Sequence, residues 1–177
     1  QFTDLQPGDI RYKDISGPDG VPDGKIDETY DRTINGSPFP DWTYSFNFGG
    51  SYKGFDLYCF FQGVSGVDRY LFHNNQEAGN LTKKALDYWT PDNPNAAYPR
   101  FINMTNNNKN STYWLKDASY LRLKNIEIGY TLPQTMIHKL GLTNVRVYVS
   151  GNNLITFTNM VDMDPEKALE DERGRTY

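Results

Sequence analysis

Polar and apolar positions alternate over four stretches of the chain. In residues 43–52, TYSFNFGGSY, the side chains of Tyr44, Phe46 and Phe48 fall on one face, and Thr43, Ser45, Asn47 and Gly49 fall on the other. A period of two marks a strand. Lys53-Gly54 then supplies a tight turn. Residues 55–63 (FDLYCFFQG) give a second strand with Phe55, Leu57, Cys59 and Phe61 on one side. The third, residues 120–132 (YLRLKNIEIGYTL), is less regular, because Ile126, Ile128 and Tyr130 share parity with Arg122 and Lys124. Either a bulge near Asn125 resets the faces, or the two cations lie beyond the apolar band. Residues 133–144 predict a short turn with one turn of helix and Gly141 as its C-cap. The fourth strand, residues 145–153 (VRVYVSGNN), aligns Val145, Val147 and Val149.

The connections carry a second pattern. Residues 7–41 are rich in Gly, Pro, Asp and Asn and read as loop. Residues 64–118 are irregular, with room for one short helix over 76–88 and with the tracts PDNPNAAYPR and NMTNNNKNST. Asn80, Asn103 and Asn110 each open an N-x-T sequence and read as ordinary loop residues. Everything after the fourth strand reads as loop. Connections therefore run long, short, long, short, long, as in outer-membrane barrels with short periplasmic turns and long external loops. Strand lengths are near the roughly 9–11 residues of a tilted crossing. A soluble β-sandwich offers similar strands but has less reason to sort its loops by length. Pattern alone leaves both architectures open.

Composition narrows function more than fold. Of 177 residues, 37% are apolar and 15% aromatic, which suits strands with narrow apolar bands and long polar loops. The net charge of −4 is spread with both signs mixed, so no basic stripe exists to track phosphates. Cys59 is the single cysteine, which excludes an internal disulfide and a cysteine zinc cluster. No apolar leader follows Gln1, and no run of about 18 apolar residues predicts a transmembrane helix. His73 and His138 have no metal-ligand spacing, no G-x-S-x-G occurs, and any chain with 22 acids contains carboxylate pairs. The chain does not read as an enzyme.

Two groups of residues carry candidate chemistry. Asp14, Ser16, Asp19, Asp23, Asp27, Glu28 and Asp31 are the densest polar cluster. Calcium takes about six to eight oxygens from a flexible loop with a Gly at its sharp turn. Asp23 and Asp27 fit the fifth and ninth places of such a loop, Gly24 its turn, and the Lys25 carbonyl the place between. Asp14 and Ser16 would open it, but two prolines intervene, and Asp31 falls one place late. Starting at Asp19 instead puts Val21 where an oxygen is needed. The competing reading is a set of Asx-turns without metal. Among the aromatics, Trp42 and Trp114 read as interfacial girdle or packing residues. Trp89 is the candidate for substrate contact, since an indole face stacks on sugar rings.

DASYLRLKNIEIGYTLP (117–133) resembles the most characteristic C-terminal segment of SusC/RagA-type TonB-dependent transporters. VRVYVSGNNLITFT (145–158) resembles the strand that follows it, and Asp164-Pro165-Glu166 the loop after that. GDIRYKDISG and DGKIDETYDRTING, followed by FPDWTYSFNFGGSYKGFDLYCFFQG, resemble the upstream loop and hairpin. Only residues 64–110 match weakly. In the acidic loop the family shows a compact D-x-N-G-D-G-x-I-D run, from which this sequence departs.

The resemblance implies an all-β fold: antiparallel strands of a transmembrane β-barrel, here a C-terminal fragment with long extracellular loops. It divides the chain into an acidic extracellular loop (9–41), a strand hairpin (43–63), a long extracellular loop (64–119), a second hairpin (120–155) and a last extracellular loop (156–177). The final strand of the barrel is expected beyond it. It implies a place in the outer membrane and import of glycans or peptides with energy coupled through TonB. A SusD-like surface lipoprotein would be the partner and calcium the one cofactor. The lumen face would hold Thr43, Ser45, Asn47, Arg146, Tyr148, Ser150 and Asn152. The alternative is a secreted β-sandwich that binds carbohydrate.

Overall fold

The computed structural model describes residues 5–70, 86–100, 106–107, 109–160 and 163–166. The helix expected over 76–88 lies almost entirely outside the described residues, as do Asn80 and Asn103. Among the described residues six strands follow one another: β1 (Trp42–Tyr52), β2 (Phe55–Ser65), β3 (Asp68–Tyr70), β4 (Leu115–Asp117), β5 (Tyr120–Thr131) and β6 (Arg146–Thr158). β1, β2, β5 and β6 form one antiparallel sheet in the order β1-β2-β5-β6. β3 and β4 pair separately, in a stretch expected to be irregular. The chain divides into two compact units, Gln1–Gly36 with Tyr70–Lys116, and Ser37–Arg69 with Asp117–Tyr177. The second holds the four-stranded sheet.

The hairpin turns obey local chemistry. Lys53 and Gly54 have φ of 50° and 89°, the two left-handed residues of a type I′ turn, whose twist matches the strands it joins. Between β5 and β6 lie the single helical turn α1 (Gln134–Ile137) and a 3₁₀ turn (His138–Leu140). Gly141 closes them in the left-handed conformation, with its N–H donated to the His138 carbonyl. That is the C-cap expected from the sequence.

The irregular third strand contains the bulge. Phe60 pairs with Asn125 and Phe61 with Leu123, so Lys124 is the extra residue. The insertion exchanges the two faces. Leu121 and Leu123 thereby join Ile126, Ile128 and Tyr130 on the apolar side, and Arg122 turns to the polar side opposite Gln62. β6 makes a matching adjustment: between Asn152, paired with Asn125, and Ile155, paired with Leu123, stand Asn153 and Leu154. Asn153 has φ of 53°. β6 continues to Thr158, five residues past the expected end, because after this irregularity Ile155 and Phe157 again fall on the apolar face.

One face of the sheet is thus aromatic and aliphatic. Phe46 stacks on Phe61 at 4.8 Å between ring centres, and Phe55 lies 4.5 Å from Tyr130. The Tyr44 ring covers Gly63, where a Cβ would come within 2.6 Å of it. This face stays open: Phe48 is 51% exposed, Phe157 58% and Val149 75%. The other face carries Thr43, Ser45, Asn47, Arg146, Tyr148, Ser150 and Asn152 in one register, as alternation predicts.

Candidate functional site

In the sheet unit, the polar face gathers a charged network around Arg122. This side chain is only 7% exposed. Its Nε donates to Thr156 Oγ1 at 2.8 Å, its Nη1 to Glu166 Oε2 at 2.6 Å, and its Nη2 to Asp164 Oδ1 at 2.6 Å. Glu166 also receives Lys124 Nζ on both oxygens, at 2.9 and 3.0 Å, and the Tyr120 hydroxyl at 2.8 Å. The Glu166 N–H donates to Asp164 Oδ1, so Asp164-Pro165-Glu166 is itself folded into a turn. Burial pushes the Glu166 carboxyl up, but the Lys124 ammonium, the Tyr120 hydroxyl and the Arg122 charge outweigh it and hold it below the ordinary range. Arg122 and the Glu166 N–H lower Asp164 likewise. A buried guanidinium needs such compensation, since an unpaired one costs several kcal/mol, on the order of 3–5.

A second network stands further along the same face. Arg146 reaches across β5 to Asp56 on β2 and meets Glu127 at 2.6 Å. Gly129 makes this crossing possible: a Cβ there would sit 2.5 Å from Arg146 Nη2 and 2.6 Å from Asp56 Oδ2. Asn125 Nδ2 donates to Asn152 Oδ1 at 2.9 Å. The cations of the polar face are therefore answered by carboxylates, Asp56 and Glu127 on the sheet and Asp164 and Glu166 in the loop after β6, on a face that also carries Tyr58, Phe60 and Val64.

The other unit contains the acidic loop. Asp31 is its hub: Oδ1 accepts from the N–H groups of Ile15 and Ser16, and Oδ2 from that of Asp27. These donors, Asp27 first and then Ile15 and Ser16, hold its carboxyl below the ordinary range. Asp27 Oδ1 accepts from Thr29 and Tyr30, Asp23 Oδ1 from the Lys25 N–H, and Asp14 Oδ2 from Gly24, whose φ is 81°. Asp19 is exposed, beside a turn closed by the Gly20 N–H on the Gly17 carbonyl. The arrangement is a set of Asx-turns and loop clamps. Asp14 Oδ1 differs, being buried with no hydrogen-bond partner. Among the described residues no group of three or more His, Cys, Asp and Glu is placed to hold a metal.

Trp89 is half-buried in this unit, its ring against Gly8, where a Cβ would fall 2.4 Å from Trp89 Cδ2. Trp114 is a packing residue as expected: it is 5% exposed, with Nε1 donated to the Asn107 carbonyl at 2.8 Å. Trp42 stands 72% exposed at the end of β1 farthest from the tight turn. One cluster had no sequence signal. Asp9, 2% exposed in its side chain, takes a two-pronged bond from Arg100 and a third from Asn107 Nδ2. These partners are 91 and 98 residues away.

No family model matches the chain. Curated relatives do. The chain is 39% identical over 175 residues to TonB-dependent receptor P3 of Formosa agariphila, covering 97% of this chain and 17% of the relative. It is 34% identical to TonB-dependent receptor P26 of the same organism, covering 90% and 16%. Among solved structures it is similar to the RagAB peptide importer in its open-open state, with a TM-score of 0.61 and 28% identity over 84% of this chain and 17% of that one. The chain belongs to the SusC/RagA-type TonB-dependent receptors. It spans about a sixth of the length of these relatives. The four-stranded antiparallel sheet is thus similar to a stretch of the strands of such receptor barrels. No helix among the described residues is long and apolar enough to cross a membrane.

Proposed function

We propose that this chain forms part of the wall and outer loops of an outer-membrane importer. Substrate would be a glycan or a peptide fragment, drawn in with energy delivered through TonB, and a SusD-like surface lipoprotein would act as lid. The observation that carries this reading is the open apolar face of the sheet, joined to an opposite face whose cations are answered by carboxylates. A soluble sandwich buries the face that this sheet leaves open. Peptide import by the RagAB neighbour supports peptide as one substrate class. The self-paired inner face suits an uncharged glycan equally. Deleting the gene and growing the bacterium on single glycans and on peptides as sole nutrient separates the two. Loss of growth on one class names the cargo, and growth unchanged on every substrate sinks the importer reading.

Calcium in the acidic loop is a second reading, favoured by the buried Asp14 Oδ1, which lacks a donor and belongs to a carboxyl beside Asp31. Asp14, Asp31 and backbone carbonyls would be its ligands, and its role would be to brace the loop. Calorimetric titration of the receptor with calcium gives heat that Asp14→Asn abolishes. Absence of both heat and a thermal shift at millimolar calcium leaves the Asx-turn set as the whole account.

A further inference from the structure

Three donor side chains of the polar face converge on one carboxylate. Glu166 takes the Tyr120 hydroxyl at 2.8 Å, Arg122 Nη1 at 2.6 Å, and Lys124 Nζ on both oxygens at 2.9 and 3.0 Å. All three donors stand on β5, which is paired on one side by β2 and on the other by β6. They are held in place without Glu166. Arg122 is oriented by Thr156 Oγ1 on its Nε and by Asp164 on its Nη2, with its guanidinium carbon 5.6 Å from the centre of the Tyr120 ring. Lys124 is the extra residue of the bulge, which adds a second cation beside the first. Glu166 comes instead from the segment after β6, in the turn closed by its own N–H on Asp164 Oδ1. A paired strand thus carries a preformed receptor, and a loop carries its occupant.

Without Glu166, Asp164 alone would face Arg122 and Lys124, and one positive charge would go unanswered. Only another carboxylate restores both the charge and the hydrogen bonds, so the occupant is exchanged rather than simply released. We propose that Tyr120, Arg122 and Lys124 form a carboxylate-binding site for peptide cargo, and that Glu166 is its tethered competitor, displaced when a cargo carboxylate arrives. The proposal rests on the importer reading, with the polar face turned to the lumen. It takes peptide over glycan because the chain is similar to the RagAB peptide importer. A tethered occupant acts at an effective concentration of about millimolar. Small free anions therefore leave it in place, whereas a peptide held by further contacts in the lumen displaces it.

Competition predicts a gain of affinity on removing the occupant's charge, which a purely structural Glu166 does not. Glu166→Gln keeps an acceptor for Lys124 and leaves Arg122 its bonds to Thr156 and Asp164, so the fold is retained. The full-length receptor in detergent is titrated with a dansyl-labelled peptide rich in glutamate, and with a counterpart in which every carboxylate is replaced by an amide. Glu166→Gln is expected to bind the acidic peptide about tenfold tighter than the unaltered receptor, because the site is no longer shared. Lys124→Gln is expected to bind it about tenfold weaker, through loss of a charge-assisted donor. All three forms should bind the amide counterpart equally. Binding of the acidic peptide that is absent, unchanged or weakened in Glu166→Gln overturns the proposal, as does binding unchanged in Lys124→Gln or an equal change for the amide peptide. Heat-modifiable migration of each form reports the barrel independently, so failure of the wall reading is seen before any peptide is added.

Discussion

Arg122→Ala tests the central packing claim. The guanidinium is 7% exposed and makes three charge-assisted hydrogen bonds of 2.6 to 2.8 Å, two to carboxylates and one to a hydroxyl. Its bond to Glu166 is the strongest, since that carboxylate is only 24% exposed, and is worth about 1.5–3 kcal/mol. The Thr156 bond adds about 1 kcal/mol. Asp164 is 53% exposed, so its pairing with Arg122 is screened and contributes about 0–1 kcal/mol. Glu166 keeps Lys124 and Tyr120 after the change, so no carboxylate is stranded. Together these make a loss of about 2.5–5 kcal/mol. Urea unfolding of the receptor refolded into phospholipid vesicles, followed by tryptophan fluorescence, measures it. A cycle with Glu166→Gln isolates the pair, with an expected coupling of about 1.5–3 kcal/mol. Additivity within about 0.5 kcal/mol would refute the argument, because it would mean that Glu166 and Arg122 do not meet in the folded wall.

Acid should release the same turn. Asp164 and Glu166 are held below their ordinary values, so their contribution is complete above the unfolded carboxylate range and is lost as pH falls through the lower folded values. The protection factor of the Glu166 amide is expected to hold as pH falls from about 8 to about 5 and to drop below the ordinary carboxylate range, about pH 4; a drop beginning near neutrality would contradict the shifts. Gly66→Ala forces a side chain into φ of 72° with its Cβ 2.2 Å from Asp41 Oδ2, and should cost about 1–2 kcal/mol in the same unfolding assay. Trp114→Phe keeps the buried ring but leaves the Asn107 carbonyl without its donor, a loss of about 1–3 kcal/mol. It should appear as faster amide exchange around Asn107, with the sheet unchanged.

The acidic loop shows how far residue type carries. Asp, Gly and Pro at close spacing predict turns whether or not an ion is present, because an Asp carboxylate captures N–H groups two or three residues on. The Asp23–Lys25 and Asp27–Thr29 bonds are of that kind. The bond from Ile15 to Asp31 spans 16 residues and follows from the path of the loop, which spacing does not give. The same holds for Trp89. Its residue type suggests a stacking platform, yet one side of the ring is committed to Gly8, 81 positions away in a sequence that gives no sign of the pairing.

The sequence by itself determined the four long strands, their tight turn, their lengths to within five residues and the division into an apolar and a polar face, but not the short pair β3 and β4. These depend on alternation and on φ preferences, which are properties of neighbours along the chain. It also raised the bulge, since Arg122 and Lys124 broke the parity, but could not choose between a bulge and a band edge. Tertiary structure decided that, because only the register against β2 and β6 shows Lys124 without a partner. It decided as well that Arg122 is buried against Asp164 and Glu166, more than forty residues on, and that Gly129 exists to let Arg146 cross to Asp56. A charge in a sequence announces that a partner is needed; which partner answers is set by the strands that the sheet brings side by side.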